Sequence, residues 1–563
     1  MNEVITKRYE TWLAEVTDAE LAADLAAMKG KEDLIEDAFF RELEFGTGGM
    51  RGVLGAGTNR MNIYTVARAA QGLANYVVAN FAEKDRSIAI SYDSRIHSFD
   101  FARISAAVFA ANGVHAYIYQ QLMPTPCLSF AVRALKCAAG VMVTASHNPS
   151  KYNGYKVYGS DGCQITTEAA DIILGAIESV DTFRDVKKVT FEQGLEGGLI
   201  EWTPDWVYND FVAAVHGQSM LTEADKVDKN VAIVYSPLNG TGLKPVTRTL
   251  SESGFTNITV VREQEKPDGH FPTCPYPNPE IREAMQLGME YAERENADLL
   301  LATDPDCDRV GIAVRNEKGE YVLLTGNQTG LLLLDFVCSR RVATGRMPER
   351  PVAVKTIVSM DLATRIAEHY GVEMRDVLTG FKFIGEQIAL LEKEGREDAY
   401  IFGFEESYGY LSGSYVRDKD AVDASFLICE MFAWYKSQGI SLLDKLNAIY
   451  AEYGYCLNNT HSYAFDGAAG FEKMKDIMQS FRGEIKAFAG IPVLECLDYA
   501  KGLNGLPKSD VLKFRMEGNC SVVVRPSGTE PKLKAYISVS APDREAAEKI
   551  EAAIAKDLEK YFA

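Results

Sequence analysis

The sequence is short of positive charge, of closely paired cysteines and of long apolar runs. Its 563 residues include 59 Lys and Arg against 79 Asp and Glu, a net charge of −20 that disfavours non-specific nucleic-acid binding. The ten cysteines form no CxxC pair, which indicates reduced thiols rather than a disulfide framework. Residues 1–8 lack an apolar signal region, and no apolar stretch reaches the ~18 residues that span a bilayer. We therefore expect a cytoplasmic protein without nucleic-acid or membrane partners.

Apolar residues make up 47% of the chain and recur in short runs that alternate with helical segments. This alternation predicts α/β units with largely parallel strands. We expect an N-terminal helical extension and a first α/β domain in residues 1–205, followed by α/β domains in 206–325 and 326–450. Residues 451–563 differ, because strand-like pairs around 521–539 precede an amphipathic helix, which indicates an α+β domain.

A serine follows a buried strand in the segment we call the serine loop, residues 144–151. Ser146 and His147 come shortly after the apolar run 140–143, and Lys156 follows ten residues after the serine. Parallel α/β sheets place reactive groups at such strand ends, and a hydroxyl there could be a nucleophile or carry a phosphoryl group. A turn capped by Ser146 is the alternative, since Ser, Asn and Pro are common turn residues.

Three carboxylates alternate in the aspartate loop, residues 304–309, which follows another apolar run. Asp304, Asp306 and Asp308 offer hard oxygen ligands that suit Mg²⁺, which completes its coordination with substrate phosphate or water. The loop has no histidine and the chain has no HExxH, which disfavours zinc. A solvated acidic loop is the alternative, although three like charges this close repel without a cation.

Two further loops offer polar groups for binding. The glutamate loop, residues 403–410, carries Glu405 and Ser407, which could bind vicinal hydroxyls, although a plain Gly-bounded turn also fits. The arginine loop, residues 525–532, combines Arg525 with two hydroxyls and a glycine in the pattern of an anion nest. A planar guanidinium binds two phosphate oxygens at once, whereas a simple hairpin turn is the other interpretation of this segment.

Together and in this order, the four loops resemble the α-D-phosphohexomutase superfamily, which contains the phosphoglucomutases and phosphomannomutases. Their sequences TASHNP, DPDCDR, GFEESYGY and RPSGTEPK resemble that family's phosphoserine, metal, sugar-specificity and phosphate-binding loops. The resemblance covers nearly the whole chain and is closest to a longer branch that also contains phosphopentomutases. It implies three consecutive α/β domains with mixed, largely parallel sheets plus a C-terminal α+β domain, arranged around one deep cleft.

The resemblance also implies roles for individual residues. Ser146 would carry a phosphoryl group, and one Mg²⁺ per chain would be held by its phosphate together with Asp304, Asp306 and Asp308. Lys156 or His147 could relay a proton, the lysine only if burial and nearby cations lower its pKa. Two further catalytic candidates are Lys419 and Arg51, and Arg51 lies in a segment that resembles the family's N-terminal active-site loop. The candidates for substrate binding are Arg309, Lys382, Glu405, Ser407, Arg525, Ser527, Gly528 and Thr529.

The resemblance implies interconversion of glucose 1-phosphate and glucose 6-phosphate, with glucose 1,6-bisphosphate as intermediate and activator, by a monomer or weak homodimer. The chain differs from the family's usual motifs at Pro305, Phe381 and Phe404, where family members commonly have Gly, Trp and Gly. These differences do not affect the residues expected to bind the metal and transfer the phosphoryl group, but they leave several sugars as alternative substrates. Phosphopentomutase or phosphomannomutase activity is the first alternative; sugar-bisphosphate synthase, metal-dependent phosphatase or noncatalytic sugar-phosphate binding follow.

Overall fold

The computed structural model describes residues 2–46, 48–165, 167–465, 467–527 and 532–562. These residues form two compact units. The first unit comprises Met1–Leu324, Gly385–Tyr400 and Gly409–Ala433. The second unit comprises Thr325–Ile384, Ile401–Tyr408 and Trp434–Ala563.

The first unit begins with three short helices, in the region where the sequence predicts a helical extension: α1 Glu3–Glu15, α2 Ala19–Met28 and α3 Glu32–Phe39. Their common core is aromatic, with the Trp12 ring 5.7 Å from those of both Phe39 and Phe183. Phe183 lies far along the chain, so the helices pack on the domain that follows them rather than forming a separate unit.

A seven-stranded mixed sheet follows, with the order β1-β2-β6-β5-β3-β4-β7. Its strands are β1 Phe45–Gly46, β2 Gly49–Val53, β3 Ser87–Tyr92, β4 His115–Ile118, β5 Ala139–Val143, β6 Tyr152–Gly159 and β7 Ile200–Trp202. Strand β5 is parallel to β3 on one side and antiparallel to β6 on the other. The serine loop is therefore the connection of a β-hairpin at the edge of a parallel half-sheet.

The second sheet repeats this arrangement, with the order β12-β11-β10-β8-β9. Its strands are β8 Ile233–Ser236, β9 Ile258–Val260, β10 Leu299–Thr303, β11 Val310–Arg315 and β12 Tyr321–Leu324. Strand β10 is parallel to β8 and antiparallel to β11. The aspartate loop joins β10 to β11, so it too occupies a hairpin turn next to parallel strands.

The second unit holds most of the third sheet and all of the fourth. The third block contains β13 Val352–Thr356, parallel to β14 Glu373–Val377, then β15 Tyr400–Glu405 and β16 Gly409–Leu411. The described strands of the C-terminal sheet are all antiparallel to their neighbours, with the order β17-β22-β21-β20-β19-β18. Its strands are β17 Tyr455–Ala464, β18 Ala487–Phe488, β19 Ile491–Asp498, β20 Leu512–Met516, β21 Cys520–Pro526 and β22 Lys532–Ala541.

Helices accompany every sheet. They are α4 Ile63–Asn80, α5 Ser98–Ala111, α6 Thr125–Ala134, α7 Thr167–Glu178, α8 Phe191–Glu196, α9 Asp205–His216, α10 Leu243–Glu252, α11 Arg262–Glu265, α12 Arg282–Glu295, α13 Gly326–Ala343, α14 Leu362–His369, α15 Lys382–Lys393, α16 Ala421–Ser437, α17 Leu442–Tyr453, α18 Gly467–Phe481 and α19 Arg544–Phe562. Several begin at reciprocal side-chain caps, formed by Asn62, Thr190, Thr325 and Ser441. Such caps satisfy amide donors that the first helical turn leaves unpaired.

The predicted fold class, three α/β domains followed by an α+β domain, is confirmed. The ten cysteines are all free thiols, and nine of them are buried. Across the described ranges, no helix combines the length and the apolar composition that crossing a membrane requires.

Candidate active site

The Ser146 side chain lies in the first unit and faces the aspartate loop. Its Oγ donates a 2.9 Å hydrogen bond to Oδ2 of Asp304 and lies 3.1 Å from Nδ1 of His147. The serine is only 3% exposed. A buried hydroxyl is thus held between a carboxylate and an imidazole, although 158 residues separate Ser146 from Asp304 along the chain.

The three aspartates of the aspartate loop converge, with one oxygen of each within 4.8 Å of the others. All three are almost fully buried, at 0%, 0% and 1% exposure. Backbone amides of the loop itself, from Asp308 and Arg309, donate to Oδ1 of Asp304 at 3.1 and 3.0 Å. The local turn therefore fixes one oxygen of Asp304 and leaves its other oxygen to Ser146.

Two lysines balance part of this negative charge. Lys156 Nζ lies 2.8 Å from Oδ2 of Asp306 and 3.4 Å from Oδ2 of Asp308. Lys419 Nζ lies 3.0 Å from the same Asp308 oxygen. The strand β6 supplies Lys156, and the segment before α16 supplies Lys419, so the sequence-predicted cations do meet at the aspartate loop.

Two carboxylate oxygens of the loop make no hydrogen bond among the described residues, Oδ1 of Asp306 and Oδ1 of Asp308, and both are buried. Oδ1 of Asp308 lies 3.8 Å from Nε of Arg309. Buried anionic oxygens without donors are costly unless a cation takes them. Hard oxygen donors of this kind suit Mg²⁺, so the residues present fit the metal that the sequence predicts.

Two arginines flank this cluster. Arg51 lies on β2 and donates to Oδ1 of Asn148 in the serine loop at 3.0 Å. Arg309 forms an ion pair with Glu280. Both arginines, after burial, lower the pKa of His147 well below its usual value, so this imidazole is neutral at physiological pH.

The pKa values of the charged groups show how strongly they interact. Burial and the charges of Asp306 and Asp308 hold the pKa of Asp304 well above its usual range. Burial opposes the charge of Lys156, but Asp306 and Asp308 outweigh it and raise the pKa of the ammonium. The lowered pKa that would make Lys156 a base is therefore not found, because carboxylates rather than cations are its nearest neighbours.

The remaining sequence-predicted residues belong to the second unit. Glu405 ends β15 and is 4% exposed, and its neighbour Glu406 accepts a 2.9 Å hydrogen bond from Oγ1 of Thr356. Burial and the Glu405 charge raise the pKa of Glu406 to about 6, against the charge of Arg525. The glutamate and arginine loops thus lie within electrostatic reach of each other.

The arginine loop leaves β21 at Arg525, whose Nη2 donates to the Tyr536 hydroxyl at 3.1 Å. Its buried Nε has no hydrogen-bond partner within the part of the chain that the structure describes. Ser527 N donates to the Lys532 carbonyl at 2.7 Å. Lys382 is the first residue of α15. Gly528 and Thr529 lie outside the described residues.

Sequence comparison assigns the chain to a family. Models described as phosphoglucomutase/phosphomannomutase alpha/beta/alpha domains I, II and III match residues 42–184, 208–319 and 325–453, and the C-terminal domain matches 474–557. The chain belongs to the phosphoglucomutase/phosphomannomutase family. A phosphoglucomutase of Staphylococcus saprophyticus is 36% identical over 541 residues, which cover 94% of this chain and 96% of that protein. The resemblance to the α-D-phosphohexomutase superfamily is confirmed.

Solved structures of the family share the fold. A putative phosphomannomutase from Thermus thermophilus gives a TM-score of 0.68 at 21% identity and covers 92% of this chain and 99% of its own. Parafusin, a phosphoglucomutase from Paramecium in an open form, gives 0.66 at 16% identity and covers 92% and 95%. At these identities the likeness supports the architecture alone.

Two of the three residues that differ from the family's usual motifs are packed in the protein interior. Phe404 is 1% exposed, and its ring covers Gly330 of α13, where an added Cβ would lie 2.4 Å from Cδ2 of the ring. Phe381 is 2% exposed. These two aromatic rings, at positions that bear on the sugar preference, are therefore largely shielded from solvent. At the third departure, Pro305, the backbone packs against Gly240, which has no room for a side chain.

Sequence reasoning missed several residues that hold the site together. Oγ1 of Thr125 donates to Oδ2 of Asp306 at 2.9 Å, and Glu280 pairs with Arg309. Asp93 and Arg95 support the serine loop through hydrogen bonds to Thr144 and to the Pro149 carbonyl. A signal was available for Asp93 and Arg95, because these charged residues directly follow the apolar strand β3, as the serine and aspartate loops follow theirs.

Proposed function

We propose that this protein is a Mg²⁺-dependent phosphoglucomutase that interconverts glucose 1-phosphate and glucose 6-phosphate through a phosphoserine at Ser146. The observation that carries the proposal is the buried Ser146 hydroxyl 2.9 Å from Asp304, beside two aspartates whose spare oxygens fit a metal. The name phosphoglucomutase, borne by relatives 36–37% identical over nearly the full chain, supports glucose as the sugar.

In the proposed cycle, the phosphoryl group on Ser146 passes to the free hydroxyl of a glucose monophosphate. An oxygen–phosphorus bond forms to the sugar, the bond to Ser146 Oγ breaks, and the sugar hydroxyl's proton moves to Ser146 Oγ. The resulting glucose 1,6-bisphosphate turns around and returns its other phosphoryl group by the reverse step. When bound at the three aspartates, Mg²⁺ supplies positive charge that stabilises and orients the phosphoryl oxygens.

His147 is the best-placed proton relay in this scheme. Its Nδ1 lies 3.1 Å from Ser146 Oγ, and its depressed pKa leaves a nitrogen lone pair available. Lys156, whose pKa is raised, keeps its proton and offsets phosphoryl charge instead, together with Lys419, Arg51 and Arg309. This division assigns the base and the charge stabilisers to different side chains.

The second unit supplies sugar and phosphate recognition in the proposal. Glu405 and Ser407 hold sugar hydroxyls, while Lys382, Arg525 and Ser527, with Gly528 and Thr529, hold the phosphate that is not reacting. The charge of Arg525 acts on buried Glu406, the neighbour of Glu405, which supports placing both loops at one site. We also propose the four-domain division at residues 205, 325 and 450, one Mg²⁺ per chain, a monomer or weak homodimer, and a cytoplasmic location.

A coupled assay of the purified protein tests the function directly. It measures turnover of the 1-phosphates of glucose, mannose, ribose and deoxyribose, each started with the matching bisphosphate. We expect the highest kcat/KM for glucose 1-phosphate. Release of inorganic phosphate in place of an isomeric sugar phosphate would show a phosphatase, and a preference for ribose 1-phosphate would show a pentomutase.

Sugar recognition is separable from phosphate recognition by two substitutions. Glu405→Ala is expected to lower the ratio of kcat/KM for glucose against ribose 1-phosphate about 10-fold or more, since losing a buried partner of a sugar hydroxyl costs about 1–3 kcal/mol. Arg525→Ala should raise KM for every phosphosugar alike and keep the ratio, because it contacts the phosphate common to all. Steady-state kinetics of both variants on both sugars give the comparison.

Arg515→Ala is the matched control, because this arginine lies in the same C-terminal sheet but points its side chain, 64% exposed, to an ion pair with Glu495. It should behave as the unsubstituted protein does. If the ratio is unchanged in Glu405→Ala and shifted in Arg525→Ala, the glutamate loop binds the phosphate and the arginine loop binds the sugar, which is the reverse of the proposal.

A further inference from the structure

One guanidinium organises the backbone of the serine loop. Arg95 follows strand β3, and its side chain is fully buried. Its Nη1 donates to the carbonyls of Pro149 and Tyr152, both at 3.0 Å, and its Nη2 donates to the carbonyls of Ser146 and Asn148. A single side chain thus ties four carbonyls from the turn that presents the Ser146 hydroxyl.

Ser146 needs this support because its backbone is left-handed, with φ of 52°. Such a conformation is unfavourable for a residue with a Cβ and persists where its surroundings impose it. The Ser146 amide donates to Oγ1 of Thr144 at 2.8 Å, and that hydroxyl donates to Oδ2 of Asp93 at 2.6 Å. The loop after β3 therefore holds Ser146 from both sides, through Asp93 at the amide and through Arg95 at the carbonyl.

The other side of Arg95 is covered by the block that carries the aspartate loop. The Phe271 ring centroid lies 5.1 Å from the guanidinium carbon, within cation–π range. An added Cβ at Gly269 would lie 2.5 Å from the backbone nitrogen of Ile96, so the two backbones are in direct contact. Arg95 therefore sits where the serine loop meets the segment that precedes the metal ligands.

We propose that Arg95 is a positioning residue that sets the place and direction of Ser146 Oγ relative to the aspartate loop. It contacts no reacting atom and acts through the serine backbone. This inference rests on the proposed phosphoserine chemistry at Ser146. It distinguishes Arg95 from an ordinary buried arginine, whose loss would reduce stability but leave the chemical step of the folded enzyme unchanged.

Arg95→Lys is the sharpest substitution, because it keeps the charge and most of the length. A lysine ammonium cannot reproduce the planar fork that reaches carbonyls in two directions. A displaced nucleophile slows transfer, and an error near 1 Å costs on the order of 10²-fold. We expect kcat, and the single-turnover rate of Ser146 phosphorylation by glucose 1,6-bisphosphate, to fall about 10²-fold while KM for glucose 1-phosphate changes little.

Chemical rescue of the single-turnover rate distinguishes a positioning residue from one with a purely structural role, for which no such rescue is expected. Arg95→Ala should regain part of its single-turnover rate with guanidinium ion far below denaturing concentration, and none with methylammonium at equal ionic strength. Arg133→Lys is the matched control. That arginine lies in the same unit and donates to the Asp161 carbonyl and to Glu392, distant in sequence from the serine loop, and it should keep the unsubstituted kcat.

Circular dichroism and thermal melting establish that each variant is folded, and Arg95→Lys carries the test if Arg95→Ala does not fold. The inference is overturned if folded Arg95→Lys keeps kcat within about twofold of the parent, if the loss appears in KM alone, or if methylammonium rescues as well as guanidinium. Failure of the unsubstituted protein to become phosphorylated at Ser146 would instead overturn the proposed function.

Discussion

Ser146→Ala is expected to lose at least about 10⁴-fold in turnover while the protein stays folded, since removing the nucleophile of a covalent mechanism removes its chemical step. The fold should tolerate the change because the Ser146 amide and carbonyl, not its hydroxyl, bind Thr144 and Arg95. Among the described residues, the hydroxyl itself hydrogen-bonds to Asp304 and His147. The measurement is the steady-state rate with saturating glucose 1-phosphate and glucose 1,6-bisphosphate.

Intact-mass and peptide mass spectrometry complete this test. The active protein should carry one phosphoryl group, located on Ser146, and the alanine variant should carry none. Ser150→Ala, a substitution in the same loop, is the control and should keep both the phosphoryl group and the activity. Turnover close to the parent rate in Ser146→Ala, or a phosphoryl group on a different residue of an active protein, would rule the mechanism out.

The sequence predicts the chemical groups of this site better than it predicts their support. The serine and aspartate loops are local patterns, a buried strand followed by polar residues, and each could be recognised from a few consecutive residues. The support of Ser146 comes from Arg95, 51 residues earlier, and its contact at Asp304 lies 158 residues later. Short-range patterns mark Asp93 and Arg95 as charged residues at a strand end, but they contain no information on which strand ends meet, so the contact of Arg95 with the serine loop could not be predicted.

Strand direction shows a similar limit. The alternation of strands and helices predicts parallel neighbours, and β3, β4 and β5 are parallel as expected. Both reactive loops nevertheless sit in hairpins, because β6 and β11 turn back directly onto β5 and β10. These hairpins help to assemble the candidate site, since β6 returns with Lys156 to the aspartates ten residues after Ser146.

Electrostatics could not be predicted from residue types alone. Lys156 can act as a base only if its pKa is lowered. The direction of the pKa shift depends on which charges lie nearest to its ammonium group. In the structure Asp306 and Asp308 are nearest and raise it, whereas desolvation, Arg309 and Arg51 lower the pKa of His147, next to Ser146. For this reason we propose His147, one of the two candidates from the sequence, as the proton relay.

Removal of the divalent cation is expected to abolish activity, and Mg²⁺ should restore it. Asp306→Asn should lower kcat at least ~10²-fold, the scale of losing a major electrostatic stabiliser of a transition state. The asparagine keeps a side-chain oxygen for Thr125, but it removes one negative charge and the buried Oδ1 that has no donor in the described residues. The measurement compares kcat of EDTA-treated protein before and after titration with Mg²⁺.

Thermal melting separates metal binding from catalysis. A ligand that binds only the folded state at 100 times its dissociation constant stabilises it by about 2.7 kcal/mol, so Mg²⁺ should raise the Tm of the parent protein. Asp306→Asn should lose this rise and should also lower Tm in EDTA, because Lys156, whose Nζ lies 2.8 Å from Oδ2 of Asp306, loses a counter-charge.

Asp335→Asn is the matched control, a buried aspartate in an ion pair with Lys445 at 2.7 Å in the second unit. It should lower Tm in EDTA, because its lysine partner loses a counter-charge, yet keep both the Mg²⁺-dependent rise and the activity. Full activity of metal-free protein would contradict the magnesium site outright. An Asp306→Asn variant whose Tm still rises with Mg²⁺ as the parent's does would show that the cation binds elsewhere in the chain, even if the variant were inactive.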